Sequence, residues 1–468
     1  MKINICDDAY ASRSPNENAR QTINYFPEVD KLGKNPIAMY GCPGSTTLNT
    51  LAAAAVVRCA FEYLTVEYYV SGNKFYSKTS VGTVTELGTL TTSTGYVSMS
   101  TNGIIILIVD GTDGYTFTIS GATFATISDV DFPANPIKCG ILKNTFIVIN
   151  GRSQTFYISP DGVAWAALDF ASAESSPDNL ISMIVDHEEV IFGGADSTEV
   201  WYFTSDAFPL TKRTTIEIGV AGVGAMCKAD NSVFFLGNDG VLWRLNGYTP
   251  VRVSTHAIEY AIGQFSTIAD CLMWSQKQEG HTFIWCQFPT GDQTWVYDVA
   301  SGMWHRRAWR NPDTAALHRH RANCYVYANG RHVIGDYSDG TLKELDLDVY
   351  DDDGDPLLAV RVFGPITSKN SQEAMRMDAL TVDMEVGVGL ATGQGSDPQL
   401  ILKISYDSGH TFATEVWQTL GIGPTGGYST TTTFTRLGAI RYPQSAYFRL
   451  DITDPVKRVL IGADLRVS

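Results

Sequence analysis

Short apolar runs that end in turns rich in Gly, Asn or Asp recur along most of the chain. The clearest copy is the stretch SVFFLGNDGVLWRLNGYTPVRVSTHAIEYAI, residues 232–262. It holds an apolar strand at Val233–Leu236, a turn at Gly237–Gly240, a strand with an aromatic at Val241–Leu245, and a second turn at Asn246–Gly247. More extended chain is expected after that turn. Because Asn, Asp and Gly tolerate the positive φ that tight hairpins need, the pattern predicts a group of short antiparallel strands.

Seven apolar strands of this kind follow one another at a similar spacing. They start near Tyr68, Ile104, Phe146, Val190, Val233, Phe283 and Tyr325, at separations of 36 to 50 residues. Repeats of about 40–50 residues with several short strands each are typical of a β-propeller. Runs such as Ile104–Val109 do not alternate, which indicates strands buried on both faces, as inner blade strands would be.

The turns and aromatic residues repeat with the strands. The turn signals are Ser71–Asn73, Asp110–Gly114, Asn150–Gly151, Gly193–Asp196, Gly237–Gly240, Pro289–Asp292 and Asn329–Gly330. In the first six units the next strand carries an aromatic: Phe75–Tyr76, Tyr115, Phe156–Tyr157, Trp201–Tyr202, Trp243 or Trp295. The seventh unit is less regular. We therefore predict an all-β fold with a propeller of six or seven blades, seven being favoured, in which the chain ends can share a unit.

The sequence pattern changes around Leu347–Pro365, where an acidic turn precedes Gly364–Pro365. Strand-like segments follow at Ala379–Val388, Leu400–Tyr406, Phe412–Trp417, Tyr447–Ile452 and Arg458–Val467. This predicts a C-terminal antiparallel β-sandwich-like domain over residues 357–468, after an N-terminal arm over 1–50 and a propeller over 51–347. Helix is predicted to be scarce, with weak candidates at Ser371–Ala379 and Ala52–Val57.

The composition limits the classes of partner that are expected. The formal net charge is −16, and 18% of the residues are charged. A nucleic-acid-binding surface usually carries a basic excess, so a DNA-gripping protein is disfavoured, whereas DNA could slide past an acidic surface. The eight cysteines form no CxxC pair and are predicted to be buried reduced thiols. No apolar segment suggests a signal peptide or a membrane span.

Two acidic motifs invite a functional reading. Asp351, Asp352, Asp353 and Asp355 resemble a calcium loop, but Gly354 is in the wrong position, so a solvated hairpin turn is preferred. Ser405–Phe412 (SYDSGHTF) matches the Asp-box pattern, and Ser159–Trp165 is a shortened relative. Asp boxes stabilise hairpins through bonds from the Asp side chain to turn amides, so a structural role is expected.

Two basic stretches are candidate contact sites. The first, WHRRAWR, contains Trp304, His305, Arg306, Arg307, Trp309 and Arg310. It is either a binding patch for DNA or a protein partner, or a blade edge whose outward cations pack on tryptophans. The second, HRHR, is His318, Arg319, His320 and Arg321, for which an exposed loop facing an acidic partner is expected.

Enzyme signatures are weak. Asp186–His187 and Ser254–His256 suggest a triad, but no nucleophile elbow exists, and a core or turn role is expected for His256. The carboxylate pair of a glycosidase is not evident. We assign no catalytic, cofactor-binding or metal-binding residues and expect no cofactor.

The stretch at residues 232–262 resembles the central segment of the packaged-DNA stabilisation proteins of short-tailed bacteriophages. Similar stretches are Asn24–Pro27, Asn179–Thr204, Gln293–Arg307, Gly335–Leu345 and Arg458–Val467. The resemblance implies a structural virion protein, made in the host bacterial cytoplasm, that acts as a tail hub or nozzle. It implies a homohexameric ring below the portal and its adaptor proteins that retains the packaged genome and carries fibre, spike or needle proteins. Double-stranded DNA would pass without sequence-specific contact.

One alternative remains open, a carbohydrate-binding or glycosidase-type propeller of a phage tail. A ring of about six subunits favours the hub. A monomer that hydrolyses polysaccharide, and loses that activity when a central carboxylate is replaced, favours the alternative.

Overall fold

The chain begins with five short strands that join sheets formed by later parts of the chain. The computed structural model describes residues 1–173, 178–206, 208–368, 373–423 and 428–468. The five strands are β1 (Lys2–Ile3), β2 (Gln21–Ile23), β3 (Tyr25–Val29), β4 (Ile37–Gly41) and β5 (Gly44–Thr50).

Antiparallel meanders of short strands make up the middle of the chain. The first three are β6 (Val57–Tyr63), β7 (Val66–Ser71), β8 (Lys74–Lys78) and β9 (Val84–Thr89); β10 (Ser98–Thr101), β11 (Ile105–Val109), β12 (Gly114–Thr118) and β13 (Thr123–Thr126); and β14 (Pro136–Leu142), β15 (Thr145–Asn150), β16 (Thr155–Ser159) and β17 (Phe170–Ser172). The next two are β18 (Leu180–Asp186), β19 (Glu189–Gly194), β20 (Thr198–Phe203) and β21 (Leu210–Ile216); and β22 (Met226–Ala229), β23 (Ser232–Leu236), β24 (Leu242–Asn246) and β25 (Thr249–Arg252). After helix α1 (His256–Ile262) come β26 (Leu272–Gln278), β27 (His281–Phe288), β28 (Gln293–Asp298), β29 (Met303–Arg310), β30 (Leu317–Arg319), β31 (Ala322–Ala328), β32 (Arg331–Asp336) and β33 (Thr341–Asp346).

These meanders close into a β-propeller. The first strands lie side by side around its axis in the order β6, β10, β14, β18, β22, β26 and β31, and β31 returns to β6. The N-terminal strand β5 pairs with β33 and completes the sheet β31-β32-β33-β5, so the ring is closed by strands from distant parts of the chain. Six of the sheets are separate and four-stranded. The meander β26–β29 lies between two of them and continues into a ten-stranded sheet.

The seven strand groups located by spacing correspond to these six sheets and the composite meander. The propeller has seven blades if the composite meander is counted as one, and six if it is not. The fully buried strand of a blade is its second, as in β11, and the innermost strand β10 alternates instead. The apolar runs are therefore inner blade strands buried on both faces, as predicted, and they take the second position of the blade instead of the one at the axis. A strand with neighbours on both sides and sheets on both faces loses more solvent contact than one at the axis.

The last strands form two sheets around one core. They are β34 (Ala359–Thr367), β35 (Ala374–Met384), β36 (Gln399–Ser405), β37 (Ala413–Thr419), β38 (Thr432–Thr435), β39 (Ala439–Arg441), β40 (Ser445–Ile452) and β41 (Val459–Val467). One sheet has the order β3-β4-β41-β35-β38, and the other continues from β29 as β2-β34-β40-β36-β37. A single cluster that includes Tyr25, Phe363, Leu380, Phe448 and Leu465 fills the space between them. The N-terminal strands thus tie the second unit to the propeller.

Both helix candidates were wrong. Residues 52–56 form turns and bends before β6, and the described part of Ser371–Ala379 belongs to strand β35, residues 371 and 372 lying outside the described ranges. Conversely, the extended chain expected after Gly247 contains α1, whose N-cap Thr255 accepts a hydrogen bond from the Ile258 amide. Tertiary pairing outweighs weak local propensity in such short segments.

The cysteine prediction is largely confirmed. All eight thiols are unpaired; six are buried, and Cys59 and Cys324 are half-buried. Burial raises the pKa of the Cys59 thiol to about 12, which keeps it protonated and unreactive.

Candidate interaction surfaces

The axis of the propeller is occupied by side chains. Lys138 on β14 donates to Ser182 Oγ of β18 at 3.0 Å and to the Val223 carbonyl before β22 at 2.8 Å. The ring of Tyr96 lies 5.5 Å from the Lys138 ammonium. On the far side Tyr96 approaches Gly224, where an added Cβ would be 3.3 Å from its ring. One lysine and one tyrosine therefore link four blades across the axis.

Because side chains fill the axis, its width determines whether DNA could pass through the propeller. The major groove of B-DNA is about 12 Å wide on its own. A passage that a single lysine side chain spans is far narrower than a DNA duplex. DNA therefore cannot run through the axis of one subunit in this conformation.

The two faces of the propeller differ in their exposed side chains. In an antiparallel meander, the turns after the first and third strands open at one end, here called the odd-turn face. The turns after the second strand open at the other end, the even-turn face. Six large apolar residues are exposed in odd turns: Leu64, Val81, Ile104, Val163, Leu168 and Tyr248. No large apolar residue is exposed in the described turns after second strands.

The odd-turn face is also acidic and held in place. Its described turns expose five carboxylates and one lysine: Asp161, Glu188, Asp206, Asp230, Glu279 and Lys143. Neighbouring turns are tied across blades: Lys143 pairs with Glu188 at 3.1 Å, and His187 Nε2 lies 2.9 Å from Asn231 Oδ1. The exposed large apolar residues of the described turns thus lie on the odd-turn face and not on the even-turn face, which makes the odd-turn face the better candidate for a protein contact.

A cleft of about 800 Å³ opens on this face between the sheets β18–β21 and β22–β25. Its carboxylates are engaged. Asp230 pairs with Arg244 at 2.6 Å, and Glu189 pairs with Arg213 at 2.7 Å and accepts from Tyr248 Oη at 2.8 Å. Side chains that neutralise one another in this way do not form the separated acid and base pair of a glycosidase.

The structure contradicts the interpretation of WHRRAWR as a DNA or partner patch. Strand β29 lies between β28 and β2, so it is not a blade edge either. Trp304, His305 and Arg307 are buried, and Arg307 lies over Trp285 with its guanidinium carbon 4.4 Å from the ring. Only Arg306 fits the expected packing, with its guanidinium 5.7 Å from Trp295 on the opposite side of the sheet.

The HRHR stretch was wrongly expected to be an exposed loop. Residues 317–319 form β30, which pairs with β29, and His320 is buried. Arg321 forms an ion pair with Asp336, and His318 Nδ1 lies 2.8 Å from Asp292 Oδ2. These basic residues have partners inside the chain because the turn carboxylates of neighbouring strands lie beside them.

The acidic run at residues 351–355 is more than a solvated turn. Asp352 is buried and accepts from Ser45 Oγ, and Asp353 accepts from the Thr47 amide at 3.0 Å. Lys343 lies 3.6 Å from Asp353. The run thus holds β5 in the propeller. Among the residues that the structure describes, no group of three or more His, Cys, Asp or Glu side chains is placed to bind a metal ion.

The triad candidates do not assemble. His187 pairs with Asp186 at 3.0 Å at a turn, and its other nitrogen faces Asn231. His256 was wrongly expected in a core or turn; it begins α1, largely exposed, with Nδ1 3.2 Å from Arg252 Nη2. Ser254 donates to Glu259 at 2.7 Å instead of to an imidazole.

Both Asp boxes have the expected hairpin geometry. Asp407 accepts from the Thr411 amide at 2.9 Å and from Ser405 Oγ at 2.7 Å. These bonds, with that from the Thr411 hydroxyl the largest cause, hold the pKa of Asp407 well below its usual range. Asp161 accepts from the Val163 and Ala164 amides, each at 2.9 Å.

Sequence reasoning missed the residues at the axis. Lys138 stands alone in the apolar run PIKCGIL, and a solitary lysine at an inner position of a predicted strand was a usable signal. Tyr96 gave none, because only the ring closure brings residues 96 and 224 together.

The fold is that of an all-β propeller protein whose exposed large apolar turn residues lie on one face. The chain belongs to the family described as "Bacteriophage P22 Gp10, beta-propeller", whose model matches residues 1–350. A comparison with curated proteins found no match. Among solved structures, BamB from Moraxella catarrhalis is similar at 14% identity and a TM-score of 0.39, over 65% of this chain and 97% of that one. So low a score carries no argument.

The family resemblance stated from the sequence is therefore confirmed. The protein is a structural protein of the phage tail, belongs to the virion, and assembles with other virion proteins. No helix in the described part of the chain is long and apolar enough to cross a membrane.

Proposed function

We propose that the protein is a non-enzymatic tail hub or nozzle, a homohexameric ring that surrounds the DNA path below the portal and its adaptor proteins. The family match over residues 1–350 carries the proposal. The closed axis supports one feature of it: a DNA channel has to lie between copies, because Lys138 and Tyr96 occupy the axis of each subunit.

The acidic composition agrees with this role. Six copies of a chain with charge −16 carry a formal charge of about −96 in total (6 × −16). Acidic residues facing a channel would repel the phosphate backbone and let DNA move without sticking. In this role the ring retains the genome by assembly and docking instead of by gripping it.

We assign the odd-turn face to the next tail component, a fibre, spike or needle protein. Its apolar residues would supply contact area, and its carboxylates favour a partner surface with a basic rim. The residue ranges for the arm, propeller and C-terminal domain stay predictions, with the arm and the propeller sharing strand β5.

Native mass spectrometry of the full chain tests the ring. Six copies of the 51.1-kDa chain would have a mass of about 307 kDa (6 × 51.1). Electron microscopy of the particle would then show a ring with DNA at its centre. A chain that stays monomeric both alone and in particles would contradict the hub. Hydrolysis of host polysaccharide, lost when Asp230 is replaced, would favour the carbohydrate alternative.

A further inference from the structure

A cation lies buried inside the propeller without an ion-pair partner among the described residues. Arg307 is 1% exposed, and none of the ion pairs among the described residues includes it. Its guanidinium stretches from β29 across Trp285 to β26, where Nη1 lies 3.4 Å from Gln276 Oε1. An uncompensated charge in such a place is costly, and proteins normally offset it with an opposite charge.

Three buried donors in this sheet have no hydrogen-bond partner. Nη2 of Arg307 has no hydrogen-bond partner. Nε of Arg307 donates to His305 Nε2 at 3.4 Å, so the proton of the neutral imidazole is on Nδ1, which also has no partner. Trp274 Nε1, on the same sheet and stacked on Trp285, is a third donor without an acceptor.

The nearby groups do not form an ion pair with Arg307. The charge of Asp298 reaches Arg307, but this carboxylate is bound by His281 and by the Ser301 hydroxyl. Burial raises the pKa of the Cys42 thiol beside Arg307, so that side chain stays neutral. Burial and the charge of Arg307 hold the pKa of His305 well below its usual range. Arg458, also buried, differs because its guanidinium donates to the carbonyl oxygens of Val456, Leu357 and Tyr350.

A polar route connects this position with the surface. Gln276 Nε2 lies 3.4 Å from Gln278 Oε1, and Gln278 lines a cleft of about 780 Å³ between β26 and the sheet β31-β32-β33-β5.

We propose that Arg307 is the centre of a buried binding site for a small monovalent anion of the halide class, chloride under physiological conditions. The anion accepts from Arg307 Nη2 and compensates the guanidinium charge. Water could accept the same hydrogen bond but would leave the charge uncompensated, which is why an anion is favoured.

Bromide provides a direct test. Crystals of the full chain grown with bromide in place of chloride should show an anomalous peak within hydrogen-bonding reach of Arg307 Nη2. Bromide on the protein surface combined with no peak at Arg307, or with a water molecule there, would overturn the proposal. This readout needs no variant.

Unfolding in solution gives a second test. At constant ionic strength, with gluconate replaced by chloride, a tenfold rise in chloride above the dissociation constant should increase the folding equilibrium constant tenfold. Arg307→Met should lose this dependence. Arg361→Met is the matched control, because Arg361 is equally buried but paired with Asp7. If either variant fails to fold, the bromide crystal of the wild-type chain decides.

Discussion

His281 Nε2 and Glu28 Oε2 lie 2.6 Å apart, and this contact joins the N-terminal strand β3 to the propeller. The other nitrogen, Nδ1, lies 3.0 Å from Asp298 Oδ2 at the end of β28. The imidazole thus bridges two carboxylates from distant parts of the chain, and it stacks 5.3 Å from Phe283.

His281→Gln should lower the free energy of unfolding by about 3 kcal/mol, because it leaves the buried Asp298 without its cation. Glu28→Gln should cost less than about 1 kcal/mol, since the Glu28 side chain is partly exposed to solvent. Urea unfolding of the two variants checks the ranking. A larger loss for Glu28→Gln would show that the N-terminal contact dominates.

The same bridge predicts a pH dependence. Hydrogen bonds to Asp298, and then to Glu28, raise the pKa of His281 from 6.5 to about 9. The stabilisation should be complete below pH 6.5 and should decline as the pH rises to about 9. Unfolding measured at intervals across this range should show the decline in wild type and a flatter profile in His281→Gln.

Lys138 at the axis should give the stability the opposite dependence on pH. Burial lowers its pKa from 10.5 to about 8, so the folded state releases the proton first and gains stability between those pH values. Lys138→Met should remove this rise while changing stability at pH 7 by no more than about 1 kcal/mol. Lys277→Met, at an exposed lysine, is the control that should keep the rise.

The Asp boxes should behave as hairpin clamps. Asp407→Ala removes charge-assisted bonds to the turn and should cost about 1–3 kcal/mol. Because the pKa of Asp407 is lowered, its contribution is present above the unfolded-state value of 3.8 and is lost as the pH falls further. Acid unfolding of the wild type and of Asp407→Ala checks both the loss of stability and its dependence on pH. Equal acid stability of the two would contradict the role of Asp407 as a hairpin clamp.

The odd-turn face should matter in particles and not in the isolated chain. Leu64→Asp and Ile104→Asp place charges on exposed apolar positions, 71% and 66% exposed, so folding should change by less than about 0.5 kcal/mol. Particles assembled with the double variant should lose the component docked there.

Val130→Asp is the matched control for that experiment, because Val130 is more exposed than Leu64 or Ile104 but lies in the chain between β13 and β14. Full incorporation and infectivity of the double variant would show that docking uses another face. Loss with Val130→Asp alone would point to the even-turn side.

Much of the architecture could be predicted from residues 232–262 and their fainter copies. Strand β23 and the turn at Gly237–Gly240 follow from local chemistry, because apolar length and positive-φ residues are properties of short segments. The α-helix at His256–Ile262 was missed, although Thr255 and Glu259 are suitable N-terminal residues.

The contact chemistry was harder to predict, and WHRRAWR shows why. The alternation along β29 predicts that Arg306 and Arg307 point to opposite faces of the sheet. It does not indicate which residues cover each face. The sheet around β31 covers Arg307, and the sheet β22–β25 lies on the other side. A pattern of period two has no information about neighbours that are brought in from elsewhere in the chain.

The sequence by itself determined the repeat, the all-β class and the family, because strand length, turn residues and spacing are encoded locally. Only the tertiary structure decided that β5 closes the ring, that Lys138 and Tyr96 block its axis, and that Arg307 is buried without a carboxylate partner among the described residues. These features join residues that are far apart in sequence, and their energies depend on burial and on charges that meet only when the ring closes.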